Sequence, residues 1–129
     1  MEDEGGRCDE RIGDPEEDIA GAPEASEITR LGRTMADLME QGRLTEAIVL
    51  ARRRCDLVEA RSGGLGRSFA YSLHNLATLC DMAGDVLSAF QALSRACAIL
   101  RDSVDAESDE VAAFEELVRL LRKRIGTTA

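Results

Sequence analysis

The fold is decided by one stretch of the sequence, AYSLHNLATLCDMAGDVLSAFQALSRACAIL, at residues 70–100. Apolar residues recur in it at spacings of three and four, which predicts two amphipathic helices. Gly84 interrupts this pattern and permits a tight reversal of the chain, and Asp85 can cap the second helix. The stretch therefore predicts two antiparallel helices joined by a three-residue turn.

The same pattern occurs earlier in the chain. A shift of 42 residues superposes residues of the same type: Leu31 on Leu73, Gly42 on Gly84, Ala47 on Ala89, Arg53 on Arg95 and Cys55 on Cys97. A fixed period in this range is the signature of stacked helical units. A third unit contributes one helix, residues 109–125, displaced by 41 residues. We therefore predict an all-α fold of antiparallel helix-pair repeats, about two and a half repeats with five helices.

The ends of the helices are marked by capping residues. Side chains that accept hydrogen bonds stand where four of the helices are expected to begin, namely Ser26, Ser68, Asp85 and Ser108. The first two helices are expected over residues 27–40 and 44–61. The apolar face of the last helix is expected to comprise Val111, Phe114, Leu117, Val118, Leu121 and Ile125. Three cysteines lie on predicted apolar faces, where core packing accounts for them: Cys55, Cys80 and Cys97.

Charge divides the 129 residues into two parts. The net charge is −9, from 25 acidic and 16 basic residues, which argues against binding to nucleic acid or to an anionic membrane. Residues 1–25 hold ten acids and two bases, a sum of −8, and too few large apolar residues to offset the chain entropy. We predict a disordered acidic tail over 1–25 and a helical repeat domain over 26–126. Without a signal sequence or a membrane-spanning segment, a cytoplasmic protein is expected.

The second unit resembles a tetratricopeptide repeat. The resemblance rests on one series of residues: Asn75-Leu76-Ala77, Cys80, Gly84-Asp85, Ala89, Leu93 and Ala96. The period of 42 residues exceeds the usual 34 and is similar to the kinesin-light-chain type. The resemblance covers residues 28–125, although the first unit departs from the pattern at Thr34 and Arg54.

The resemblance implies a function in binding. Tetratricopeptide repeats curl into a superhelix, and the first helices of the pairs line a concave groove that holds a peptide or a helix of a partner. The residues implied for this groove are Arg33, Tyr71, His74, Asn75, Thr78, Asp81, Glu115, Arg119 and Arg122. Asn75 lies where members of the family often hold the backbone of the peptide, and an amide can both donate and accept. The arginines favour an acidic partner, because guanidinium pairs with carboxylate.

Residues for other chemistry are sparse. His74 is the only histidine and no Cys-x-x-Cys pair is present, so a closed zinc site would need three distant cysteines to converge. The run Gly-Gly-Leu-Gly at residues 63–66 lacks the preceding strand and the following Gly-Lys-Ser/Thr of a phosphate-binding loop. We therefore expect a non-catalytic adaptor that binds a protein or peptide partner, with no cofactor and no metal.

Two alternatives stay open at this point. Two and a half repeats are fewer than the roughly three that an independent core usually needs, so the chain could complete its stack by forming a homo-oligomer. The acidic tail could also occupy a groove lined by arginines and compete there with the partner.

Overall fold

A computed structural model describes residues 23–103 and 108–128 of the chain. Five α-helices make up most of this part: α1 (Pro23–Glu40), α2 (Leu44–Ser62), α3 (Arg67–Met82), α4 (Val86–Ser103) and α5 (Asp109–Thr128). Each helix packs against the next, and the described ranges contain no strand. The predicted all-α class with five helices is confirmed for these residues. Across the same ranges, every helix is too short or too polar to serve as a membrane span.

The two helix-pair units have the same turn. Gly42 and Gly84 adopt φ angles of +74° and +87°, a region that residues with a Cβ atom rarely enter. The residue after each glycine donates its N–H to the carbonyl five residues earlier, Arg43 to Leu38 at 2.9 Å and Asp85 to Cys80 at 2.8 Å. The turns, which lie 42 residues apart in sequence, therefore match in both torsion and hydrogen bonding.

The core lies between the helix pairs. Ala47 and Ala89 hold equivalent positions on α2 and α4, and neither exposes any of its surface, so the paired helices can approach closely. Phe69, Leu79 and Leu100 are the largest of the fully buried side chains. The three cysteines predicted on apolar faces are buried free thiols, and desolvation raises the pKa values of all three: Cys55, Cys80 and Cys97.

Two of the predicted caps are confirmed. Asp85 Oδ1 accepts the N–H of Ser88 at 3.1 Å, and Ser108 Oγ accepts the N–H of Val111 at 3.2 Å. These bonds satisfy backbone donors that the first turn of a helix would otherwise leave without a partner.

The other two predicted caps are wrong. The first helix begins at Pro23, so Ser26 lies inside it. Proline suits a first helical position because its φ is already fixed and its missing N–H would have no partner inside the helix. The third helix begins at Arg67, directly after Gly66, which makes Ser68 its second residue. The predicted acidic tail lies outside the described residues except for 23–25, which form the start of α1.

Leu117 was predicted to pack in the core, but it is partly exposed. It is 39% exposed, whereas Leu76, the residue 41 positions earlier on α3, is 6% exposed. Leu120 and its equivalent on α3, Leu79, differ in the same way: Leu120 is 42% exposed and Leu79 only 1%. Leu117 and Leu120 border an open space between α5 and α3 instead of packing tightly on the preceding helix pair.

Candidate binding surface

Two cavities flank α3. The first, here called the α1-side cavity, has a volume of about 470 Å³ and is lined by Gly32, Met35, Ala36, Met39, Arg54, His74, Asn75, Thr78 and Leu79. The second, the α5-side cavity, has a volume of about 490 Å³ and is lined by His74, Ala77, Thr78, Asp81, Leu93, Leu117, Leu120, Leu121, Lys123 and Arg124. Both volumes lie in the range of ordinary ligand pockets.

A polar stripe along α3 separates the two cavities. His74 and Thr78 line both of them, because residues four apart lie one above the other on a helix. Asn75 borders the α1-side cavity alone and Asp81 the α5-side cavity alone. A ligand lying along this stripe would meet polar groups at its centre and apolar surface on either side.

The α1-side cavity combines three kinds of contact. Met35, Met39 and Leu79 give it an apolar surface, and the thioether side chains can adjust to ligands of different shape. Asn75 supplies an amide, which both donates and accepts hydrogen bonds. Arg54 supplies a cation. Together these groups suit an apolar side chain, a peptide bond and a carboxylate.

Contacts with α1 hold the side chain of Arg54, a residue of α2, in place. Its Nε donates to the backbone carbonyl of Ile28 at 3.2 Å. A Cβ atom at Gly32 would lie 3.2 Å from the same nitrogen, tighter than most real contacts, so the small residue makes room for the guanidinium. The arginine that departs from the tetratricopeptide pattern is thus packed against α1.

The α5-side cavity has leucine side chains where the α1-side cavity has methionines. Leu117 and Leu120 contribute exposed leucine side chains, and Lys123 and Arg124 supply positive charge. Arg124 Nη1 pairs with Asp81 Oδ1 at 2.5 Å, so an ion pair joins α5 to α3 beside the cavity.

Aromatic rings join α3 to α5 at the other end of the stripe. Phe114 stacks on His74, with 5.0 Å between the ring centroids, and meets Tyr71 edge-on at 5.3 Å. The Tyr71 hydroxyl donates to Glu110, which also pairs with Arg67 at 2.5 Å. Tyr71 is therefore a packing contact between the two helices rather than a residue that lines either cavity.

These contacts shift three pKa values. Burial lowers the pKa of His74, and its hydrogen bond with Asn75 only partly opposes this shift, so the neutral ring is favoured. The hydrogen bond to the Glu110 carboxylate raises the pKa of Tyr71. The same bond, together with the bond from Arg67, lowers the pKa of Glu110.

The structure brings together about half of the residues predicted for the groove. His74, Asn75, Thr78 and Asp81 lie along the stripe on α3. The others contact different partners or lie outside the two cavities. Arg33 is exposed on α1, Glu115 pairs with Arg101 at 2.8 Å, Arg119 pairs with Glu116 at 2.5 Å, and Arg122 lies 5.6 Å from the centre of the Phe90 ring.

The cavity residues that the sequence analysis missed are mostly apolar. On α1 they are Met35 and Met39, and on α5 they are Leu117 and Leu120. Helical spacing marks such residues as core, and no feature of the sequence distinguishes a leucine in the core from one in a cavity. Among the residues described, no three His, Cys, Asp or Glu side chains are grouped so that they could hold a metal ion.

Two comparisons with known sequences find no relative. No protein-family model matches the sequence, and a search of curated proteins finds no match. The functional conclusion accordingly comes from the residues of α3 and its two cavities.

Proposed function

We propose that the chain is a non-catalytic interaction module that binds a peptide or an extended segment of a partner protein beside α3. The α1-side cavity carries this proposal, because it places Asn75 and Arg54 around an apolar surface. In the bound state an apolar side chain of the ligand packs on Met35 and Met39. The Asn75 amide holds the ligand backbone, and a carboxylate of the ligand lies near Arg54.

The arrangement of the helices supports the same proposal. Helices α1, α3 and α5 are the first members of their predicted units, and their side chains supply most of both cavities. A ligand groove lined by first helices is what the tetratricopeptide resemblance implies. We therefore propose that the helix pairs form a short superhelix of this kind and that the chain acts in the cytoplasm, where its buried thiols stay reduced.

The test begins with a random 12-residue peptide library displayed on phage and selected against the purified full chain. Enriched peptides are labelled with a fluorophore, and their affinity is measured by fluorescence polarisation. We expect enrichment of peptides in which an apolar residue lies near an acidic one. Asn75→Ala should weaken their binding several-fold, because the amide contacts to the peptide backbone are lost.

A matched pair of variants locates the site. Ala36 and Ala98 are both exposed helical alanines, but Ala36 lines the α1-side cavity and Ala98 lies on α4. Ala36→Glu should weaken binding of the selected peptides about tenfold or more, because the added carboxylate fills the cavity edge and repels an acidic ligand. Ala98→Glu adds the same charge and should leave the affinity unchanged. If the two variants bind equally well, or if no peptide is enriched, the assignment is wrong.

A further inference from the structure

One strip of α5 is open where the matching strip of α3 is buried. On α3 this strip comprises Ser72, Leu76 and Leu79, which are 2%, 6% and 1% exposed. It faces the preceding helix pair, since the Cys55 thiol donates to the Ser72 carbonyl at 3.3 Å and Leu79 lines the α1-side cavity. The α5 residues 41 positions later are Ala113, Leu117 and Leu120, and all three are exposed.

The charges of α5 indicate what covers this strip. The first half of the 20-residue helix carries four acids and the second half four bases: Asp109, Glu110, Glu115 and Glu116, then Arg119, Arg122, Lys123 and Arg124. Of these eight side chains, four already contact α3 or α4, namely Glu110, Glu115, Arg122 and Arg124. Glu116 and Lys123 instead flank the strip, and a second copy of the helix running in the opposite direction would place each Glu116 beside a Lys123. The segment of residues 1–25 contains ten acids and only two bases, so it offers little to pair with Glu116.

We propose that the protein forms a homodimer in which the two α5 helices pack antiparallel along Ala113, Leu117 and Leu120. The two-fold axis passes between residues 118 and 119, at the midpoint of the helix. Each Leu117 then lies opposite Leu120 of the second copy. A two-fold axis generates every contact twice, so two leucine pairs form the centre of the interface.

The flanks of the strip also match in this arrangement. Glu116 and Lys123 lie on the same flank of the leucine strip, because seven residues are close to two helical turns. When two antiparallel helices are related by a two-fold axis, the same flank of each helix lies along the same edge of the interface. Each Glu116 therefore faces Lys123 of the second copy. Glu116 also pairs with Arg119 within its own helix, but both side chains are at least half exposed, and such a pair contributes little.

The interface is small and lies on the opposite side of α3 from most of the proposed peptide site. A 20-residue helix is about 30 Å long. Two such helices packed side by side, with the residues at their edges, bury an area at the lower end of the range for stable interfaces. We therefore expect a dissociation constant on the order of micromolar.

The dimer covers the α5-side cavity, which shares His74 and Thr78 with the α1-side cavity. Met35, Arg54 and Asn75 line the α1-side cavity and not the α5-side cavity. The variants Ala36→Glu and Leu120→Gln each change one cavity, so failure of one proposal is distinguishable from failure of the other.

The test is sedimentation equilibrium of the full chain at concentrations from about 1 to 500 µM. We expect a monomer–dimer equilibrium in wild type and at least a tenfold weaker dimer for Leu120→Gln. Leu87→Gln is the matched control, since Leu87 is 56% exposed on α4, away from the strip. A monomer at every concentration would leave the strip to another occupant and would overturn the proposal. Equal effects of the two variants would also overturn it.

Charge exchange tests the antiparallel register. Glu116→Lys and Lys123→Glu each place like charges together twice in the interface, so each should weaken the dimer about tenfold, most strongly at low salt. The double variant restores both pairs and should dimerise nearly as well as wild type. Arg119→Gln removes the ion pair within the helix and should change nothing. A double variant no better than either single variant would overturn the register.

Discussion

At the residue scale, His74 is the residue that connects most of the features on α3. It borders both cavities, stacks on Phe114 and has its pKa lowered by burial. The repeat pattern predicts His74 as a groove residue but does not predict its packing against α5. The spacing of one helix does not say which ring of another helix will lie beside it.

The pKa of His74 leads to a prediction about stability and pH. The unfolded side chain titrates near 6.5, and the folded one titrates lower. Around these two pKa values the unfolded side chain is protonated more fully than the folded one. The free energy of unfolding therefore falls as the pH falls below 6.5. Urea denaturation at pH 7.5, 6.5 and 5.5 measures this loss.

The control for this prediction is His74→Gln, which cannot titrate. Its absolute stability will change because the stacking on Phe114 is lost, so the comparison concerns only the dependence on pH. The variant should lose less stability between pH 7.5 and 5.5 than wild type loses. If both proteins lose the same amount, the titration of another group causes the dependence.

At the element scale, the turns were predicted more accurately than the helix starts. Gly84 and Asp85 formed a strong signal because one residue supplies the positive φ and the next supplies the cap. The starts at Pro23 and Arg67 were missed because a serine that can cap a helix stood nearby in each case. Several residues near a helix end can act as caps, and packing selects among them.

The repeated turn can be tested with two glycine substitutions. Gly84→Ala should lower the free energy of unfolding by about 1 kcal/mol, because alanine is strained at a φ of +87°. Gly126→Ala is the matched control. This glycine lies within α5 with no atom close to where the new Cβ would lie, so alanine should stabilise the helix by about 0.5–1 kcal/mol.

Urea denaturation measures both effects. If Gly84→Ala is as stable as wild type, the turn does not require a left-handed residue and the conformation described here is wrong. The substitution Gly42→Ala provides a second test of the turn, since the turn of the first helix pair has the same hydrogen bonds. It should also lower the free energy of unfolding.

At the scale of the whole molecule, the period of 42 residues predicted the two helix pairs but not the orientation of the last helix. The side of α5 expected to face the ligand carried Arg119 and Arg122, whereas the side that lines a cavity carries Leu117 and Leu120. The rotation of a helix about its own axis depends on all of its neighbours. On α3, four residues predicted for the groove lie along one stripe, where helices on both sides restrict that rotation: His74, Asn75, Thr78 and Asp81.

The central claim is that ligands bind beside α3 in the α1-side cavity. It is tested most directly by recording ¹H–¹⁵N NMR spectra of the full chain while a selected peptide is added. We predict that the largest changes in backbone amide signals will occur at Met35, Met39, Asn75 and Thr78. The exposed side of α4 around Gln91 and Ala98 should change little. Changes concentrated on α4, or none near Asn75 at saturating peptide, would contradict the claim.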